Sequence, residues 1–326
     1  MKTSEKMLDY LKGKRQADGN DLAHYLEISP RGVRKQLKSL LDKGKITKIG
    51  KPPKVFYLIK EENSKSETVE IDPEIEKIIN ERFLFVSPTG ERKEGFEGFV
   101  YWCKKTKQPP QKTAGEYLKT LKKYDFFRKK IYGNLIDGTG KIETTFQKSY
   151  LNKLFYVDFY SIERFGKTKL GQLLLYAKQS QNRTLMKELA REIKPKINFI
   201  LKKYQIEGVG FVPPTVKREI QFMRELEKNL SLKKRKISIV KVKTDIIVAQ
   251  KTLNKLFDRV ENAKKTFVVN ENNEYKNILL IDDAVGSGAT LNELASQIRA
   301  MELCRGKIIG LSITGSFKGF DVISEV

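Results

Sequence analysis

Up to residue 60, apolar residues recur at helical spacing and then switch to short strand-like runs. Met7, Leu8 and Leu11 predict a first helix, and Leu22, Ala23 and Leu26 predict a second, opened by Asn20 or Asp21 as cap. Ser29 and Pro30 form a favoured cap and first position for a third helix, which places Val33, Leu37, Leu40 and Leu41 on one face. Gly44 closes it, and Ile46–Ile49 and Lys54–Ile59 read as two strands around Gly50-Lys51-Pro52-Pro53. The polar stretch 61–68 reads as a linker. Beyond it, Ile71–Ile79 predicts a helix and Phe83–Val86 a strand, ended by Ser87-Pro88-Thr89-Gly90. Phe96, Phe99, Val100, Tyr101 and Trp102 then supply an aromatic cluster suited to a core. The clearest unit is 277–299. Four apolar residues, Ile278–Ile281, precede two aspartates, a turn of small residues and an amphipathic run carrying Leu291, Leu294, Ala295 and Ile298. A short apolar run of this kind fits a strand buried on both faces, as in a parallel sheet, so the unit is strand–loop–helix.

That unit also carries candidate chemistry. Asp282 and Asp283 fall at the carboxyl end of a strand, where open α/β sheets bind ligands. Gly286, Gly288 and Ala289 let backbone approach a ligand, and the free N–H groups of a helix start favour phosphate. Ser287 and Thr290 add hydroxyl donors. Adjacent carboxylates would repel phosphate, so vicinal sugar hydroxyls or a magnesium ion are their natural partners. The stretch asks for a ribose 5-phosphate. A dinucleotide-binding turn is the weaker match, because its acidic residue follows the glycines, and a Walker lysine loop is absent.

Charge changes the picture at the other end of the chain. The 326 residues carry a formal net charge of +24, which suggests a polyanionic partner. Residues 1–60 hold twelve lysines and three arginines against six acids, a net +9 and about twice their share. That surplus favours DNA, with Arg31, Arg34, Lys35 and Lys38 of the third helix entering a groove and Lys51 and Lys54 touching phosphates. His24 is given no chemistry. A second basic stretch runs through Lys104, Lys105, Lys107, Lys119, Lys122, Lys123 and Arg128–Lys130, mixed with Tyr124, Phe126 and Phe127. It fits a solvated helix face, with a single-strand contact as the other reading. Cys103 and Cys304 are too few and too far apart for a zinc site, and they fit a reduced, cytoplasmic setting. The first residues lack a signal-like apolar core, and no stretch approaches membrane-spanning length, so no membrane role is expected.

Two resemblances sharpen these expectations. Three helices and a hairpin bearing Gly-Lys-Pro-Pro-Lys-Val-Phe-Tyr resemble a winged helix-turn-helix domain. The apolar strand, Asp-Asp and small-residue loop ending Gly-Ala-Thr-Leu resemble the phosphoribosyl-pyrophosphate (PRPP) signature of type I phosphoribosyltransferases. Phe165–Lys178 resembles the helix that opens the ComF branch of that family, and Val212–Arg218 its pyrophosphate loop. Gln250, Leu253, Arg259 and Asn262 match a spaced set that precedes its PRPP strand. The resemblance implies PRPP and magnesium at Asp282, Asp283, Ala284, Val285, Gly286, Ser287, Gly288, Ala289 and Thr290. It implies diphosphate at Pro214, Thr215, Val216, Lys217 and Arg218, and a mobile loop carrying Lys241, Lys243 and Thr244. The chain departs from the branch in three places. It lacks the four-cysteine zinc module, has Arg218-Glu219-Ile220-Gln221-Phe222 after the pyrophosphate loop, and has Gly286-Ser287 where two threonines are common. PRPP binding survives those changes better than catalysis.

The expected architecture is therefore an α/β protein in three parts. Residues 1–62 form a winged helix and 63–148 a linker with a small α+β module. Residues 149–326 form a type I phosphoribosyltransferase fold, a parallel sheet flanked by helices. The expected function is a homodimeric, PRPP-responsive transcriptional regulator, by likeness in plan to winged-helix purine repressors. An active phosphoribosyltransferase and a ComF-like DNA uptake or processing factor are the alternatives.

Overall fold

The computed structural model describes residues 2–60, 69–214, 216–242, 253 and 255–316. It divides into two compact units, Met1–Val69 and Glu70–Val326.

In the first unit, helices Thr3–Lys14, Gly19–Leu26 and Pro30–Asp42 pack over a three-stranded sheet. Lys54–Ile59 is its middle strand, between Ala17–Asp18 and Ile46–Lys51. Met7, Leu11, Leu22, Val33, Leu37, Leu40 and Ile46 form the core, as the helical spacing predicts. The second helix is capped by Asp18 rather than Asn20 or Asp21. Asp18 has extended backbone, so its carboxylate reaches the N–H groups of Asn20 and Asp21, both at 2.8 Å. Asp21 reaches back to the Asp18 N–H at 3.2 Å, which completes a capping box. Ser29 caps the third helix through the Gly32 N–H, with Pro30 at its first position.

The second unit is built on a seven-stranded sheet. Its order is Arg235–Lys236, Gly208–Phe211, Ile278–Val285, Ile308–Gly315, Lys153–Phe159, Leu135–Asp137 and Arg128–Lys129. The first five strands are mutually parallel, and the last two are antiparallel. Alternate residues feed opposite faces. Leu154, Ile278, Leu280 and Ile308 pack on one side with Leu291, Leu294 and Ile298 of helix Ala289–Ala300. Phe155, Leu279, Ile281 and Ile309 pack on the other, against helices Lys169–Gln179, Arg183–Lys203 and Phe222–Leu230. This is an α/β unit whose mostly parallel sheet is flanked by helices.

The middle segment contributes to the same sheet and core as the residues after 149. Ile136 pairs with Tyr156, which adds the strands of the middle segment to the sheet. Ile79, Phe99 and Tyr117 share a core with Leu154 and Ile278. The helix expected at 71–79 spans Pro73–Arg82, begun by Asp72 as cap and by Pro73. Among the described residues no helix is long and apolar enough to cross a membrane.

Candidate functional site

Strand order places the site. Gly208–Phe211 leads through helix Phe222–Leu230 to the edge strand Arg235–Lys236. Its neighbour Ile278–Val285 leads through helix Ala289–Ala300 to Ile308–Gly315 on the opposite side. The connections diverge, and a crevice opens at the carboxyl ends between them. Register deepens it. Ile278–Val285 pairs with Gly208–Phe211 only through Ile281, but with Ile308–Gly315 as far as Val285. Asp282 and Asp283 thus lie within the strand, which is eight residues long rather than the four apolar ones expected. One side of it is bare of a neighbouring strand from Asp282 onward. The cavity there measures about 180 Å³.

The crevice is lined on one wall by Val212, Pro213, Pro214, Val216, Arg218, Gln221, Phe222 and Met223. The other wall is Asp282 to Leu291, with Lys178, Arg259 and Phe267 completing it. Gly288 has φ +85°, a left-handed conformation that strains any side chain, so this turn favours glycine. Ser287 Oγ accepts from the Ala289 N–H at 3.3 Å. Helix Ala289–Ala300 starts at the crevice with no side-chain cap and no acidic residue in its first turn. Its positive dipole end therefore faces the cavity.

The two aspartates differ. Asp283 accepts from Lys178 Nζ at 2.5 Å, in a pair whose side chains are only 14% and 20% exposed. Asp282 accepts from the Asp283 N–H at 2.8 Å. The protein surrounds its carboxyl closely, although one edge reaches the crevice. Burial first, and then the charge of Asp283, pushes that carboxyl up to about 8. The Lys178 carbonyl accepts from the Arg218 guanidinium. Gln181 Oε1 accepts from the Ile220 N–H at 2.7 Å, and Gln221 donates to the Arg218 carbonyl at 2.9 Å. Residues 218–221 are thereby latched to the end of helix Lys169–Gln179. Arg259 is buried, donates to the Leu253 carbonyl at 2.7 Å, and is lowered in pKa by desolvation.

Of the residues expected to bind ligand, Asp282–Thr290, Pro214, Val216 and Arg218 meet at this crevice. Lys217 is exposed and is not part of the lining. Lys241 ends strand Ile239–Lys241, paired with the lining residue Phe267. Thr215, Lys243, Thr244 and Gln250 lie outside the described residues. Lys178, Gln221 and Arg259 join the site without having been assigned to it. Lys178 closes the helix noted in the sequence and Arg259 belongs to its spaced set, but neither position announces a partner so distant in sequence.

The pair does not fit a resident magnesium site. One carboxylate is already held by a lysine and burial disfavours the charge of the other. Among the described residues no group of three or more His, Cys, Asp or Glu could hold a metal ion.

In the first unit, Arg31, Arg34, Lys35 and Lys38 are all exposed, while Val33, Leu37 and Leu40 of the same helix are buried. Arg34 Nε bonds back to the Pro30 carbonyl at 3.2 Å. Lys54 is exposed and pairs in register with Lys51, whose side chain lies outside the description. Residues 5–55 match the family model described as FeoC like transcriptional regulator. The match lies wholly within the first unit and agrees with its helix-turn-helix reading. No curated protein matches the chain.

Proposed function

We propose that the chain is a DNA-binding transcriptional regulator that reads PRPP in the crevice of its second unit. The observation that carries the ligand is the meeting of two loops at the point where strand order reverses. One loop offers carboxylates beside a glycine turn and a helix start, which suit a ribose diol and its 5-phosphate. The facing loop offers Arg218 for the diphosphate. The DNA half of the proposal rests on the four exposed cations of the third helix and on the regulator family matched by residues 5–55. The regulator works in the cytoplasm as a homodimer, which supplies paired winged helices for a two-fold operator.

One observation favours an active transferase as the second reading. Phe222, Met223 and Phe267 give the crevice an apolar wall that would suit an acceptor base. Calorimetry with PRPP against ribose 5-phosphate, run beside a turnover assay over a panel of nitrogenous bases, separates the two. The regulator predicts saturable PRPP binding without product. Diphosphate release that requires one particular base would replace it with the enzyme.

A further inference from the structure

We infer that Lys178 takes the place of a divalent cation at the Asp282–Asp283 pair, so that the crevice binds its phosphorylated sugar without magnesium. The inference rests on the sugar-phosphate reading above for its ligand, and on the ion pair for its cation. The Lys178 ammonium sits 2.5 Å from Asp283, and both side chains are largely buried. A magnesium ion demands a near-octahedral shell of oxygens and gives up its water reluctantly. To reach Asp283 it would have to break a sheltered ion pair and leave the ammonium without a partner. An ammonium carries three donors, so Lys178 can hold Asp283 and still offer hydrogen bonds to ligand oxygens. Its position is fixed from two sides. It lies at the end of a helix begun by the Thr168 cap, and its own carbonyl accepts from Arg218 of the facing loop. With Arg218 and Arg259 also lining the cavity, three cations are available there to a ligand's phosphates.

The test uses the full-length protein in two arms. PRPP is titrated calorimetrically with magnesium and again with excess EDTA. Separately, Mn²⁺ alone is titrated into the wild type, K178M, and K178M combined with D283N, with free Mn²⁺ followed by electron paramagnetic resonance. PRPP affinity should change by less than about tenfold on removing magnesium. The wild type should show no saturable Mn²⁺ site, K178M should gain one, and D283N should abolish it. A loss of PRPP affinity beyond about a hundredfold in EDTA overturns the proposal. So does a saturable Mn²⁺ site in the wild type. If PRPP binds in neither condition while the Mn²⁺ arm behaves as expected, the sugar-phosphate reading fails and the replacement of the cation by Lys178 is supported. The wild-type measurements need no variant and decide the matter if K178M does not fold.

Discussion

Two adjacent aspartates in one strand have been given opposite electrostatic surroundings, and each yields its own experiment. Asp283 is held by Lys178 and Asp282 is closely surrounded beside it. As an ionised acceptor for a ribose diol, Asp283 stands to lose a charged hydrogen bond of roughly 1.5–3 kcal/mol on conversion to asparagine. The double variant D282N/D283N should bind PRPP more than about tenfold more weakly by calorimetry. Wild-type affinity would move the ligand elsewhere. Asp282 also predicts a pH signature without ligand. Its carboxyl is raised from 3.8 to about 8, so the folded chain holds the proton more tightly than the unfolded one. The associated stability is complete below the lower value and is lost as pH rises through the upper one. D282N, neutral throughout, should gain on the wild type across that window, by up to about 1.4 kcal/mol per pH unit, and no further above it. Melting curves at several pH values check this, and a constant difference between the two proteins would mean that Asp282 is ionised in the free crevice.

Helices and loops bring those residues together, and here the sequence was legible in some elements and silent in others. Helix Pro30–Asp42 could be read from its cap, its proline and its apolar face, because all three signals are local. The strand Ile278–Ile281 was equally plain, but its continuation to Val285 depends on pairing with Ile308–Gly315, a partner about 30 residues away. The strands Arg128–Lys129 and Leu135–Asp137 are too short to show any period, so their place in the sheet could not be seen. Lys178 stood in view as a helix residue, but its carboxylate lies 105 positions on. Thr168 ties that helix down. Its hydroxyl donates to the Phe159 carbonyl at 2.8 Å and accepts from the Gly171 N–H at 3.0 Å. T168A should cost roughly 0.5–2 kcal/mol, seen as a fall of about 2–4 °C in melting temperature for each kcal/mol. An unchanged melting curve would show that the cap is dispensable. In the first unit, Lys35 is exposed on the third helix. If it contacts a phosphate, K35A should lower the slope of log affinity against log salt by about 1. An unchanged slope would remove Lys35 from the DNA interface.

At the scale of the whole molecule, the proposal requires the two units to share a coupling free energy, typically about 1–3 kcal/mol and reciprocal. Saturating PRPP should then shift DNA affinity by roughly 5–150-fold, and DNA should shift PRPP affinity by the same factor. DNA titrations at fixed salt, with and without PRPP and repeated with D282N/D283N, measure it. Equal affinities in every arm would leave the two units as independent functions on one chain. The sheet itself limits how copies of the chain can associate. Both of its outermost strands are two residues long, and all four of those residues are basic: Arg128 and Lys129 at one margin, Arg235 and Lys236 at the other. Backbone N–H and C=O groups left open along a long, flat, apolar margin would recruit another chain, and brevity and like charge discourage this. Strand-to-strand growth into ribbons is therefore disfavoured at either rim of this sheet, and a dimer of this protein is not expected to join through those two margins.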